Sequence, residues 1–182
     1  MRFRIVGTRP ATANERGAYD PSDAMSRRWR ARALVRFWPL LADHAQALGG
    51  KLYVMGAGWN VTGPAPVTMA LAGILELEWG EANEPKALRV ELLTEDGRPV
   101  EVPTPTGDRP VVIEGNVEVG RPPGTRRGSA FNIPIAINTG PMPIPPGGGY
   151  VWRFWIGGET RDDWRLPFST RPVPVAPGPP PG

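Results

Sequence analysis

The alternation of apolar and polar residues constrains this chain more than any other feature of its sequence. Residues 75–79 read Leu-Glu-Leu-Glu-Trp, and in residues 150–156 every second side chain is large and apolar. Successive side chains of a β-strand point to opposite faces, so a period of two predicts strands with one buried face. The pattern recurs in short runs across residues 34–170. It predicts one all-β domain there, an antiparallel β-sandwich of about eight or nine strands.

The connections between the predicted strands are short and rich in turn residues. Asp96 and Gly97 separate two alternating runs, which is typical of a tight β-hairpin. Residues 42–50 end on two glycines and are predicted to be a loop between the first two strands. The 24 prolines and 23 glycines argue against a helical protein, because proline removes a backbone donor and clashes inside helices. Short connections predict antiparallel pairing.

The positive charge of the chain is concentrated at its N-terminal end. Residues 1–33 contain eight arginines and three acids, whereas residues 34–182 contain thirteen basic and fifteen acidic residues. A nucleic-acid-binding domain usually carries its own basic face, so nucleic acid is expected to bind through residues 1–33 or not at all. These residues are predicted to be a disordered or partly helical arm, which either contacts an anionic partner or is simply solvated. The arginines assigned to the anionic contact are Arg27, Arg28, Arg30 and Arg32.

The composition of the C-terminal end and the absence of cysteine further limit the possible folds and chemistry of the chain. Proline and glycine dominate residues 171–182, which are predicted to be a disordered tail because they supply no core. The chain has no cysteine, which excludes disulfides, thiolate metal sites and thiol catalysis. It shows no secretory signal pattern and no apolar run long enough to span a bilayer. The default expectation is a soluble, cytoplasmic protein.

No group of residues carries a catalytic, metal-binding or cofactor-binding signature. His44 is the only histidine, and its neighbour Asp43 would point to the opposite face of a strand instead of orienting the imidazole. Asp162 and Asp163 are the best candidates for calcium ligands. Calcium takes about six to eight oxygen ligands, and the sequence offers no regularly spaced companions for this pair. No catalytic residue, metal or cofactor is therefore predicted.

The tryptophans near the C-terminal end indicate a candidate binding surface. Trp155 alternates outward beside Arg153, and Trp164 is also expected to be exposed. An exposed tryptophan beside an arginine is typical of sugar stacking or of a protein-binding hot spot. The alternative is that a loop or a second sheet covers these rings. The predicted ligand surface on the last hairpin comprises Arg153, Trp155, Asp162, Asp163 and Trp164.

Two stretches of the chain carry a resemblance to a known family. Residues 40–47 read LLADHAQA, and residues 50–59 read GKLYVMGAGW. With these stretches the chain resembles an uncharacterised family of small actinobacterial proteins, a domain of unknown function for which a β-sandwich is expected. The resemblance covers about residues 35–168. It implies no activity, cofactor or catalytic residue.

These observations leave three functions open. The first is a non-enzymatic module that binds a ligand or another protein, since no polar residues converge into a site. The second is a structural component of a phage or bacterial particle, which would form homo-oligomers. The third is a hydrolase that uses carboxylates, because the chain has one histidine and no cysteine. The first is the prediction, and the other two are its alternatives.

Overall fold

The computed structural model describes residues 35–174, and the strands within this range make the fold all-β. The predicted arm and residues 175–182 of the predicted tail lie outside the described residues. Nine of the strands contain five residues or more, in agreement with the predicted number. In chain order the strands are β1 (Arg36–Ala42), β2 (His44–Leu48), β3 (Lys51–Met55), β4 (Val61–Thr62), β5 (Val67–Leu77), β6 (Lys86–Thr94), β7 (Glu101–Val102), β8 (Arg109–Pro110), β9 (Val112–Val117), β10 (Phe131–Met142), β11 (Gly149–Ile156) and β12 (Arg165–Thr170).

Two sheets pack face to face. The smaller sheet has the strand order β1-β5-β10, and the larger has the order β4-β12-β11-β6-β9. Two hairpins, β2–β3 and β7–β8, complete the fold. Nearly all strand pairs in the described part of the chain are antiparallel, as predicted. The exception is β12 with β4, which run parallel over two residue pairs.

The described helical segments are two 3₁₀ turns, Trp79–Glu81 and Asp162–Trp164. Neither is long or apolar enough to cross a membrane.

The main core lies between the two sheets and is built from the alternating positions of their strands. The Phe37 ring in β1 meets the Phe154 ring in β11 edge to face, with 5.0 Å between centroids. Trp152 Nε1 donates a hydrogen bond to Met69 Sδ at 3.1 Å, which joins β11 to β5. The inward residues of β11 are all buried. The predicted sandwich is confirmed by this packing.

A second, smaller core lies on the opposite face of the smaller sheet. The β2–β3 hairpin covers this face, where alanines occupy successive outward positions of the sheet. Asn138 fastens the hairpin, because its side-chain amide accepts from Ala45 N–H at 3.0 Å and donates to the Ala45 carbonyl at 2.8 Å. Small side chains let the hairpin lie close to the sheet. The alanines of this layer are Ala42, Ala45, Ala70 and Ala72.

The hairpin corrects the prediction of a loop over residues 42–50. Strand β2 occupies most of this stretch, and Gly49 and Gly50 form the turn to β3, both with positive φ. The sequence of β2, His-Ala-Gln-Ala-Leu, lacks large apolar residues at alternate positions. Its buried side needs only alanine, because it rests on an alanine layer.

A hydrogen-bonded corner joins the end of β12 to the start of β11. The Tyr150 hydroxyl donates to the Pro145 carbonyl at 2.6 Å, and the Thr170 hydroxyl donates to the same oxygen at 3.0 Å. Thr170 also accepts from Gly148 N–H at 3.2 Å. Burial raises the pKa of Tyr150 above its usual value, since the ionised phenol would lose its solvation.

Tyr150→Phe is expected to cost about 1 kcal/mol at neutral pH, because the carbonyl of Pro145 keeps only one of its two donors. A group whose pKa is raised on folding stabilises the fold fully below its unfolded pKa and loses that contribution as pH rises through the folded pKa. The difference between wild type and variant should therefore shrink above about pH 10. Urea unfolding at neutral pH and at about pH 11 measures it, and a constant difference would contradict the assignment.

Candidate functional site

A groove lies on the open side of the sandwich, between β9 of the larger sheet and β10 of the smaller. Its volume is about 510 Å³, within the usual range of ligand pockets. Each wall is the outermost strand of its sheet among the described residues. The residues that line it include no ionisable side chain: Val102, Pro103, Pro110, Val111, Val112, Ile113, Ala136, Ile137, Asn138, Thr139, Gly140, Pro141, Met142 and Pro143.

Local structure gives the groove its shape. The β7–β8 hairpin supplies one end, with Val102 and Pro110. On the β10 wall, the register of β10 against β5 shifts between Thr139 and Met142. Four prolines among the lining residues remove backbone donors that would otherwise need partners. The groove can therefore hold an apolar segment with little desolvation of charge.

The residues of the predicted ligand surface lie outside the groove. Arg153 and Trp155 lie on the outer face of the larger sheet, with the guanidinium 5.1 Å from the ring centroid. Arg153 Nε also donates to the Thr160 hydroxyl at 3.2 Å. Neither residue lines the groove. Their role in binding stays a prediction.

The two aspartates of the same prediction lie on the surface next to arginines. Asp162 Oδ1 is 3.5 Å from Arg165 Nη1, and Asp163 Oδ1 accepts from Arg161 Nε at 3.0 Å. Each carboxylate therefore faces an arginine two or three residues away in the chain. No cluster of three or more histidine, aspartate or glutamate residues suited to a metal occurs within residues 35–174.

Trp164 corrects the prediction that its ring is exposed. The side chain is fully buried, and its ring meets that of Phe37 with 6.4 Å between centroids. Arg161 covers the ring at 5.5 Å. Trp164 has the same parity as Phe168 and Thr170, the buried residues of β12, so its ring points into the core. Trp164 belongs to the core and not to a ligand surface.

The remaining predicted contact residues and catalytic candidates add no further site. Arg27, Arg28, Arg30 and Arg32 lie outside the described residues. His44 is exposed on the outer side of the β2–β3 hairpin, opposite Met55. Arg89 binds both Glu91 and Glu114, so these carboxylates share a cation on the sheet surface.

A second apolar surface lies on the same side as the β2–β3 hairpin. Trp38 belongs to the outer face of the smaller sheet and is 53% exposed. Its cross-strand neighbour is Ile74, which in turn pairs with Pro134. On the hairpin, Tyr53 and Met55 point away from the alanine layer and are 52% and 66% exposed. Clustered apolar exposure of this kind often marks an interaction surface.

Comparison with known proteins places the whole sandwich in one family. The model of a family described as "Family of unknown function (DUF6941)" matches residues 38–169. The chain belongs to this family. The matched range runs from β1 into β12, so the DUF6941 match includes both sheets, the hairpins and both walls of the groove. The predicted family resemblance is confirmed. No curated protein matches the chain.

The groove of this DUF6941 domain is not evident from the sequence, because its two walls are far apart along the chain. Residues 102–113 form one wall and residues 136–143 the other. The sequence does contain a signal, the prolines Pro103, Pro110, Pro141 and Pro143, which lie at or next to the ends of strands on both walls. Taken singly, each proline indicates only a turn or an edge strand. Only the packing of the two sheets shows that the two segments face each other.

Proposed function

We propose that this chain is a non-enzymatic protein-interaction domain that binds an uncharged, apolar segment of a partner protein in the groove between β9 and β10. The observation that supports this is the lining of the groove, which is apolar and free of ionisable side chains. A charged segment would lose its solvation there without gaining an ion pair. The absence of a catalytic signature in the sequence is compatible with binding as the whole activity.

The groove offers a test that leaves the fold intact. Gly140 lines the groove, its φ is not positive, and a Cβ built on it meets no atom within 4 Å. Gly140→Asp therefore adds a charge to the groove without a clash. Gly80 has the same properties but lies in the 3₁₀ turn Trp79–Glu81, away from the lining residues. Gly80→Asp is the matched control.

An array of uncharged peptides rich in valine, isoleucine and alanine supplies the probe. Peptides that bind the wild type are labelled, and their affinities are measured by fluorescence polarisation. Gly140→Asp is expected to weaken binding about tenfold or more, because a carboxylate is placed against an apolar ligand, and Gly80→Asp should change nothing. The proposal fails if no peptide binds, or if both variants bind as the wild type does.

A second candidate function is structural assembly with further copies of this chain. The exposed side chains Trp38, Tyr53 and Met55 lie on one side of the molecule and favour it. Lys51 and Leu48 belong to the same outer side of the hairpin and would form its rim. Sedimentation velocity over a concentration series tests it. A chain that stays monomeric at every concentration rules out assembly through this surface.

A further inference from the structure

The wall that β10 contributes to the groove carries a free strand edge. Within residues 35–174, β10 is hydrogen-bonded to β5 on one side and to no strand on the other. The Thr139 hydroxyl accepts from Met69 N–H at 3.2 Å and donates to the Met69 carbonyl at 3.0 Å. The main chain of Met69 therefore faces β10. Because peptide groups alternate in direction along a strand, those of Leu71 and Gly73 face β10 as well.

The register then identifies the groups on the open side. Ile137 lies opposite Leu71 and Ile135 opposite Gly73, so the main chains of these two isoleucines face β5. Ala136 and Asn138 alternate with them, and their N–H and carbonyl groups point away from the sheet. Both residues line the groove. An open edge of two residues is thus available on this wall.

The opposite wall is also a strand edge. Leu92 N–H donates to the Val111 carbonyl at 3.0 Å, so this carbonyl faces β6, while Val111 N–H donates to the Val100 carbonyl at 2.9 Å. By alternation the main chain of Val112 points away from β6 and toward the open side. Val112 lines the groove as well. Main-chain hydrogen-bonding groups therefore accompany the apolar side chains on both walls.

The ends of the open edge limit the length of what could pair with it. Pro134 has no N–H, so the ladder position two residues before Ala136 lacks a donor. Beyond Asn138, the register shift between Thr139 and Met142 interrupts the regular strand. A strand added to β10 would form hydrogen bonds mainly with Ala136 and Asn138.

We propose that the partner segment binds in extended conformation as a short additional β-strand, paired with the edge of β10 at Ala136 and Asn138. This inference rests on the proposed function and adds the conformation of the ligand. The N–H and carbonyl groups of Ala136 and Asn138 favour an extended ligand, since an extended chain can form hydrogen bonds with them. A helix has already satisfied its main-chain groups internally, and a polyproline segment has no N–H to donate. The uncharged lining requires apolar side chains at the positions that enter the groove.

Backbone methylation of the bound peptide tests the conformation separately from the binding. Each residue of an array-selected peptide is N-methylated in turn, and affinity for the full chain is measured. Methylation at the residues that donate to β10 is expected to weaken binding about tenfold, while the residues between them tolerate it. If every position tolerates methylation and Gly140→Asp still weakens binding, strand addition is wrong and the proposed function stands.

Amide exchange of the protein gives an independent readout. The amide protons of Ala136 and Asn138 should exchange at least about tenfold more slowly when the peptide is saturating. Those of Ile135 and Ile137 are the internal control, because the ladder with β5 already holds them. Protection of Ala136 and Asn138 without peptide would mean that another segment of this chain or a second copy occupies the edge. Occupation of the edge by either one overturns the proposal. Sedimentation velocity distinguishes a second copy, which makes a dimer, from another segment of the same chain, which leaves a monomer.

Discussion

Gly73→Ala is expected to lower the free energy of unfolding by at least about 3 kcal/mol, or to prevent folding. Gly73 lies in the middle of β5, between β1 and β10. A Cβ at this position would lie 2.6 Å from the carbonyl oxygen of Trp38 and 2.7 Å from Cε2 of Phe37. The carbonyl belongs to the paired main chain of β1, so it cannot move without disturbing the sheet. Phe37 in turn is held against Phe154 of the other sheet.

The control for this prediction is Gly140→Ala, also within a strand. A Cβ at Gly140 meets nothing within 4 Å. Alanine there should be neutral or stabilise the fold by a few tenths of a kcal/mol, since it lowers the entropy of the unfolded chain. Both variants are compared by urea unfolding followed by circular dichroism. Equal midpoints for Gly73→Ala and Gly140→Ala would show that Phe37 and β1 do not pack as described.

Trp152→Ala is expected to cost about 3 to 5 kcal/mol, because it leaves a large cavity between the two sheets. The Trp152 side chain is fully buried in the main core. It also donates its indole N–H to the sulfur of Met69 across the core, and the substitution removes that contact. The lost stability therefore comes from the packing contacts that join the two sheets.

The matched control is Trp155→Ala, which removes the same side chain from the opposite face of the same strand. Trp155 is half-buried on the outer face, where it contacts Arg153. Its loss should cost no more than about 1 kcal/mol. Thermal unfolding of both variants measures the difference. Similar losses would mean that strand β11 does not have one core face and one outer face.

The strands were predictable wherever one face of the sheet is buried and the other is exposed to solvent. In β11, Tyr150, Trp152, Phe154 and Ile156 are buried, as their alternation predicts. In β5 the second half shows the same pattern, with Leu75 and Leu77 buried. The period of two arises directly from strand geometry, so it can be recognised without knowledge of the partner strands. The fold class and the family followed from it and from residues 40–59.

The sequence was a poor guide where a strand packs against small residues or where a distant part of the chain covers a ring. Strand β2 was predicted as a loop, because its one buried residue, Ala45, is small and rests on other alanines. Trp164 was expected on the surface, but its ring is buried against that of Phe37 in the other sheet. In both cases the deciding contact comes from a distant part of the chain. The residues next to β2 or Trp164 in the sequence do not indicate that contact.

The sequence by itself therefore determined that the chain forms a cysteine-free β-sandwich, because side-chain alternation and turn residues are local properties. The candidate site was decided by tertiary structure alone. The groove exists because β9 and β10 are the open edges of different sheets that the core holds side by side. Which main-chain groups point into it depends on the register between β5 and β10. Register is set by packing across the whole sheet, and a shift of one residue would turn those groups away.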